Sequence, residues 1–258
     1  MTCSASHRYD LAREGYVNLL LPGMGRSGRS GDNRDMVQAR RRFVDRGHFD
    51  RLGGVVGGLV ARRIRRSRAA VPIVLDVCCG EGFFIRSMRP MVERAWFCGV
   101  DISKDAIRVA AKRTREPGIF WAVANAGRLP VASRTIDAIV VTFATPDPRE
   151  CRRVLKPDGE LIVAAPAPGH LRELRERIFP EVFDLEEDEG GALGGLFRSL
   201  HAERVTYACE VAGTRSVSDL LNMTPYRWRA DRERVRQLLL LDGLRTTVDV
   251  AVTRWVPR

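Results

Sequence analysis

Residues 74–82 read Val-Leu-Asp-Val-Cys-Cys-Gly-Glu-Gly, and nineteen positions past Gly82 stands Asp101, closing the apolar stretch 95–100. The spacing predicts a buried strand over Ile73–Val77, a tight glycine turn, a helix over 81–91 and a second strand over 95–101. The rhythm continues. A helix over Lys104–Arg113 capped by Ser103 precedes strands over 120–124 and 136–143, then a short helix over Pro148–Val154, a strand over 160–165 and a helix over 171–178. Such alternation implies a parallel sheet covered by helices on both faces. Two late stretches, 205–211 and 244–255, are expected to close the sheet as an antiparallel pair. The fold class is therefore α/β. In open sheets of this kind ligands bind at the carboxyl ends of the strands; Gly80, Asp101, Asn125 and segment 144–146 all fall there.

Gly80 and Gly82 lack a Cβ, so a ligand can lie against the backbone. The Asp101 carboxylate can accept hydrogen bonds from two vicinal ribose hydroxyls. Together they describe a nucleoside pocket. The dinucleotide pattern G-x-G-x-x-G fails because its third position is Ile85, and no Lys-Ser/Thr follows to make a phosphate-cradling loop. Glu81 at the helix start disfavours an anion. S-adenosyl-L-methionine carries no phosphate and has a sulfonium cation, which Asp76 and Glu81 suit. The turn Leu155-Lys156-Pro157-Asp158-Gly159 resembles the equivalent turn of class I methyltransferases, which implies a Rossmann-like, mostly parallel sheet. The expected cofactor set is Asp76, Gly80, Glu81, Gly82, Asp101, Ile102, Asn125 and Ala126.

At 258 residues the chain accommodates one full α/β domain and a small appendage. No apolar run reaches the ~20 residues of a membrane span. The opening Met-Thr-Cys-Ser-Ala-Ser-His-Arg has no apolar core of a secretory signal, so a cytoplasmic location with no membrane is expected. Six scattered cysteines read as free thiols of a reducing compartment. The net charge of +11 is uneven, for residues 1–70 hold fifteen arginines against six carboxylates. A basic front end is what an RNA-binding surface looks like; forty arginines against three lysines equally describe arginine-rich solvated faces. Composition sets 1–70 apart as a small, mostly helical substrate-recognition region, with a Gly/Arg/Ser loop at 22–31 and helices over 35–45 and 49–67. Residues 71–258 form the cofactor domain, interrupted by an acidic insertion near 180–200. The second helix carries Leu52, Val55, Val56, Leu59, Val60 and Ile64 on one face. Its Gly53, Gly54, Gly57 and Gly58 each weaken it by roughly 1 kcal/mol unless they permit close packing.

Five further segments stand in order along the chain. They are Tyr9-Asp10-Leu11-Ala12-Arg13-Glu14-Gly15-Tyr16-Val17-Asn18-Leu19-Leu20, Gly31-Asp32 followed by Met36-Val37-Gln38-Ala39-Arg40-Arg41, Gly47-His48-Phe49, Pro168-Gly169-His170-Leu171, and Met223-Thr224-Pro225-Tyr226 with Trp228. With the glycine turn they resemble the large-subunit ribosomal RNA guanine-N1 methyltransferases, including their macrolide-resistance members. The resemblance implies that Phe49 packs on the cofactor and that Gly80, Glu81, Asp101 and His170 line its pocket. From the residues alone, Phe49 fits a helix face equally well and His170 a helix start. The family also opens with a zinc module whose ligands are Cys-x-x-Cys and then Cys-x-x-x-His. Only Cys3 and His7 match, and no Cys-x-x-Cys occurs. A structural zinc takes four protein ligands, so none is expected.

Methyl transfer is an in-line displacement in which the protein mainly positions the acceptor and removes its proton. Tyr16, Tyr226 and Trp228 can stack on a planar ring, and Asn222 and Thr224 can hydrogen-bond its edges; the same cluster also fits a structural loop with half-buried aromatics. His48, His170 and Asp35 are candidate bases. Two acceptors follow. One is guanine N1 of large-subunit rRNA. The other, motivated by the missing zinc half-site, is a small planar heteroaromatic of specialised metabolism such as a tryptophan-derived indole, whose carbon needs no proton removed before attack. A non-enzymatic nucleic-acid-binding module is the third reading, and the intact Asp76, Gly80, Gly82 and Asp101 count against it. A homodimer stays open.

Overall fold

A computed structural model of the chain describes residues 8–20, 31–182, 191 and 193–258. The first part runs β1 (Tyr16–Asn18), α1 (Arg34–Val44), α2 (Asp50–Arg65), β2 (Ile73–Val77), α3 (Phe83–Met88), β3 (Trp96–Asp101), α4 (Lys104–Arg113) and β4 (Ile119–Val123). The second part runs β5 (Ile136–Thr142), α5 (Pro148–Val154), β6 (Leu155–Pro166), α6 (Arg172–Ile178), β7 (Phe197–Ala212), α7 (Thr214–Asn222), α8 (Arg232–Leu238) and β8 (Gly243–Pro257). The strands form one sheet in the order β1-β4-β3-β2-β5-β6-β8-β7. Pairing is parallel from β1 to β6, and β8 runs antiparallel to both β6 and β7. This is the expected α/β architecture.

The central strands are apolar on both faces because both faces are covered. Val74 of β2 joins a core with Leu52, Val56, Ile85, Met88 and Ile107 on one side, while Leu75 and Val77 join Ile139, Val141, Cys151 and Val154 on the other. The glycines of α2 divide by face. A Cβ on Gly53 would stand 2.7 Å from Ser87 Oγ, and one on Gly57 would stand 2.6 Å from Met91 Sδ. These two let α2 sink onto α3; Gly54 faces open space.

Segments 16–20 and 31–65 are built into the same core, since β1 extends the sheet beside β4 and Phe43 and Leu52 are fully buried. Helix α1 is clamped to α7 by Asp219, whose buried carboxylate accepts from Arg42 (2.6 Å) and Arg46 (3.0 Å). The turn expected at 155–159 is instead absorbed into β6. The register steps from Ile136↔Leu155 to Ala138↔Glu160, so 156–159 bulge out of the ladder. Helices α7 and α8 were not anticipated. Most of the 22–31 loop, most of the acidic stretch 184–195, and Cys3 and His7 lie outside the described residues. Among the described residues, no helix is long and apolar enough to cross a membrane, and no cluster of three or more His, Cys, Asp or Glu side chains is arranged to hold a metal ion.

Asp137, at the base of β5, ties three elements together. Its buried carboxylate accepts from Ser67 Oγ (2.7 Å) beyond α2, from the Ile73 N–H (2.9 Å) of β2 and from Lys156 Nζ (2.7 Å) of β6. Burial alone would raise its pKa, but the Lys156, Ile73 and Ser67 bonds together hold it below the usual carboxylate range. A lowered folded pKa means stability present above the unfolded value of about 3.9 and lost as pH falls through the folded value. The Asp137→Asn variant is expected to lose about 3 kcal/mol of unfolding free energy at pH 7 by denaturant titration. Its difference from the wild-type chain should shrink as pH falls below about 4.

Candidate functional site

The turn after β2 and the end of β3 meet at one carboxylate. The Gly80 N–H donates to Asp101 Oδ2 (2.9 Å) and the Ser103 N–H donates to Oδ1 (2.8 Å). The register Val77↔Val100 and Val77↔Val141 brings the ends of β2, β3 and β5 to the same edge. Asp101 remains only partly buried, and each oxygen keeps a lone pair for a further donor.

Negative charge is concentrated below this turn. Asp76 is fully buried and neither of its oxygens has a hydrogen-bond partner in the protein; Glu81 is almost as buried, and its Oε1 accepts no hydrogen bond but lies 3.8 Å from Arg86 Nη2. Burial pushes the Asp76 carboxyl well above its usual range, and Asp101 and Glu81 add repulsion. Burial also raises Glu81, opposed mainly by Arg40. Burial raises Asp101, opposed by its bonds from Ser103 and Gly80. A buried carboxylate without donors, as Asp76 is, calls for a cationic or hydrogen-bond-donating ligand, so this acidic group fits a ligand bearing an ammonium and a sulfonium.

The two turn glycines do different things. A Cβ on Gly80 would meet only Arg40 Nη1, at 3.6 Å. A Cβ on Gly82 would collide with the Trp121 ring at 2.4 Å, and one on Gly99 at 2.3 Å. Trp121 thus seats itself on two bare backbones. Packing against the indole, with a left-handed φ of 80°, accounts for glycine at position 82.

Sequence reasoning missed Arg40. Its Nη1 pairs with Asp32, its Nη2 donates to the Met223 carbonyl (3.0 Å), and it is electrostatically coupled to Glu81 and Asp101. Ser103 Oγ donates to the Asp32 carbonyl (2.7 Å). Helix α1, the cofactor turn and the Met-Thr-Pro segment therefore converge. Ile102 lies beside this junction, where its Cγ2 is 2.9 Å from the place a Cβ on Gly31 would take. Asn125 and Ala126 follow β4 at the same edge, with Asn125 Oδ1 accepting from the Gly127 N–H (2.8 Å).

An aromatic wall borders the site. Phe143, the first residue past β5, stacks on Phe49 (centroids 5.5 Å, planes 23° apart), and its centroid is 5.4 Å from His170 and 6.5 Å from Phe84. Phe49, Phe84 and His170 are buried, but Phe143 is 37% exposed. Its φ of 54° is left-handed, which costs a bulky L-residue about 1–2 kcal/mol. The Asp249 N–H donates to His170 Nδ1 (3.3 Å), which places the neutral ring's proton on Nε2. Burial lowers the pKa of His170 to about 4. At neutral pH it is a donor through Nε2 and not a base.

The acceptor-side expectations fare unevenly. Tyr16 is buried within β1 and opposite Trp121, so its ring is core and not a stacking surface. Asn222 Nδ2 donates to Ser218 Oγ (3.0 Å) and its Oδ1 accepts from Arg227, while Thr224 Oγ1 donates to the Leu221 carbonyl (2.9 Å). Tyr226 packs edge-on against Phe179. Trp228 is 66% exposed. Among the base candidates, Asp35 is exposed in the first turn of α1. His48 rests on the Phe43 ring with its Nε2 buried and unpartnered.

Known proteins share the sequence pattern and the fold. A family profile described as a methyltransferase domain matches residues 74–159, and one described as RlmA, N-terminal, matches residues 1–24. A protein of Micromonospora griseorubida assigned as a 23S rRNA (guanine-N(1)-)-methyltransferase is 34% identical over 100% of this chain and 90% of its own. The 23S rRNA (guanine(748)-N(1))-methyltransferase of Streptomyces fradiae is 30% identical over 98% and 89%. In fold, the YcgJ protein of Bacillus subtilis superposes with a TM-score of 0.51, at 18% identity, over 78% of this chain and 97% of its own.

Because the folded pKa of Asp76 is raised, this group favours folding when protonated and opposes it as pH rises past the unfolded value. The Asp76→Asn variant is expected to melt at a higher temperature than wild type at pH 7, with the gap closing toward pH 4. The same variant should bind S-adenosylmethionine about tenfold or more weakly in calorimetry, as loss of a charge-assisted bond predicts.

Proposed function

The chain belongs to the 23S rRNA (guanine-N1) methyltransferase family and is an S-adenosylmethionine-dependent methyltransferase; on that premise we propose that it methylates N1 of a guanine in large-subunit ribosomal RNA. End-to-end similarity to relatives of that activity is the observation that carries this reading. When bound, S-adenosylmethionine supplies a methyl group already activated on a sulfonium. In our reading Asp101 takes the ribose hydroxyls on its free lone pairs, Gly80 leaves room beside the turn, and Asp76 and Glu81 hold the cationic end. Ile102, Asn125 and Ala126 border the adenine, and Phe49 and His170 close the opposite wall. The protein's remaining work is to hold the acceptor ring in line with the methyl carbon and to exclude water.

A basic cleft of about 270 Å³ between α1 and α4 supports an RNA acceptor. Arg34, Arg41, Arg108, Lys112 and Arg113 line it. Arg108 is paired with Glu14 and Arg113 with Asp45. Arg34 and Lys112 have no carboxylate within ion-pair distance among the described residues, and phosphates suit both. One observation favours the small-molecule acceptor. A neutral His170 that donates, beside an apolar aromatic wall, suits a ring carbon that needs no proton removed before attack.

The test offers labelled donor to rRNA from a strain lacking the family enzyme and, in parallel, to a panel of indoles. Label in the rRNA is expected, with a primer-extension stop at one guanine, because a methyl on N1 blocks the Watson–Crick edge. Label in the indoles alone would transfer the assignment to the second reading. The Arg34→Glu/Lys112→Glu variant is expected to raise KM for rRNA about tenfold and to flatten the log–log salt dependence by roughly 1.5–2. Its KM for S-adenosylmethionine should not change.

A further inference from the structure

Phe143 is a part-exposed aromatic at the rim of the site, packed on buried rings. It follows the central strand β5, at the same sheet edge as the Gly80 turn and Asp101. Its backbone is fixed where it leaves the sheet, for the Phe143 N–H donates to the Ala164 carbonyl (2.9 Å). The left-handed φ of 54° turns the chain there, a conformation that bulky residues avoid and that clusters at ligand sites. Core packing does not account for the ring. Its neighbours Phe49, Phe84 and His170 are each at most 6% exposed, whereas Phe143 keeps 37% of its surface open. It lies on Phe49 with the two planes nearly parallel, so a buried ring backs it.

We infer that Phe143 is the platform on which the acceptor's planar ring stacks during methyl transfer. The inference rests on the methyltransferase reading and extends it to a position that sequence reasoning had passed over in favour of Tyr16, Tyr226 and Trp228. The recognised chemistry is a flat, nitrogen-containing aromatic face. A guanine and an indole both present one, and stacking on an aromatic side chain tolerates either. Phe49 and the His170 ring, each held by its own packing, keep the platform from tilting. The strained backbone then serves a purpose, because it holds the ring at the rim of the pocket.

The experiment compares wild type with Phe143→Leu, Phe143→Tyr and Phe143→Trp. Each is assayed with rRNA and with the indole panel, alongside calorimetry with S-adenosylmethionine. Phe143→Leu keeps an apolar side chain and removes the π face. It is expected to lose about tenfold or more in kcat/KM for whichever acceptor the wild type uses, mainly through KM, with donor affinity within about twofold of wild type. Phe143→Tyr is expected to restore activity to within about threefold. In Phe143→Trp the added indole emission should be quenched by the acceptor and not by the donor alone, which reports stacking even if Phe143→Leu folds poorly. Unchanged KM in Phe143→Leu, equal loss of donor binding, or no acceptor-dependent quenching in Phe143→Trp would each overturn the inference. Failure of the parent reading looks different: wild type itself would then methylate neither RNA nor indole, and the inference would fall with it.

Discussion

Three carboxylates sharing one buried turn are the constraint around which the site is organised. Asp76 and Glu81 sit below the backbone of residues 78–82, and Asp101 faces it from the end of β3. Low dielectric and mutual repulsion make the ionised state of this group costly. Asp101 offsets part of that cost by accepting the Gly80 and Ser103 N–H groups, which locks two loops together. Asp76 has no such relief within the protein. Negative charge buried without donors is a poor way to stabilise a fold and a good way to hold a cationic cofactor, so the turn stores stability as binding capacity.

Arg40 makes helix α1 part of that site. One guanidinium reaches Asp32 and the Met223 carbonyl and stands beside Gly80. Helix α1, the end of α7 and the cofactor turn are therefore held by a common cation. Asp219 reinforces the same α1–α7 contact from below with Arg42 and Arg46. The consequence for function is that moving the segment after α7 relative to the donor-facing turn would break partly buried ionic contacts.

The fold was legible where periodicity was strong and the runs were bounded by turn residues. Strand Ile73–Val77, helix Lys104–Arg113 with its Ser103 cap, and helix Pro148–Val154 stand where the pattern placed them. Strand β7 runs to 16 residues, well past the alternating stretch 205–211 that announced it, because exposed positions of an edge strand carry no hydrophobic signal, whereas β8 stands close to the expected 244–255. Helix α7 buries Val217, Leu220 and Leu221 at helical spacing, but nine residues are too few to stand out from the flanking strand. In the site, the expected carboxylates and the Gly80 turn converge at one edge of the sheet. Tyr16 does not join them, for an aromatic in an amphipathic strand looks the same in sequence whether it faces the core or a ligand.

The sequence by itself determined which chemistry the chain can host. Apolar runs set the parallel sheet, glycine and acid at the ends of β2 and β3 set a nucleoside pocket, and the lack of phosphate-binding signals set its charge preference. Those are local properties, carried by residues a few positions apart. Tertiary structure alone decided that Gly82 serves Trp121 while Gly80 stays open, that Arg40 reaches the turn from another helix, and that Phe143 holds an exposed ring in a strained backbone. Each depends on side chains far apart in the chain, brought together by the strand order β1-β4-β3-β2-β5, and no spacing along the sequence encodes that order.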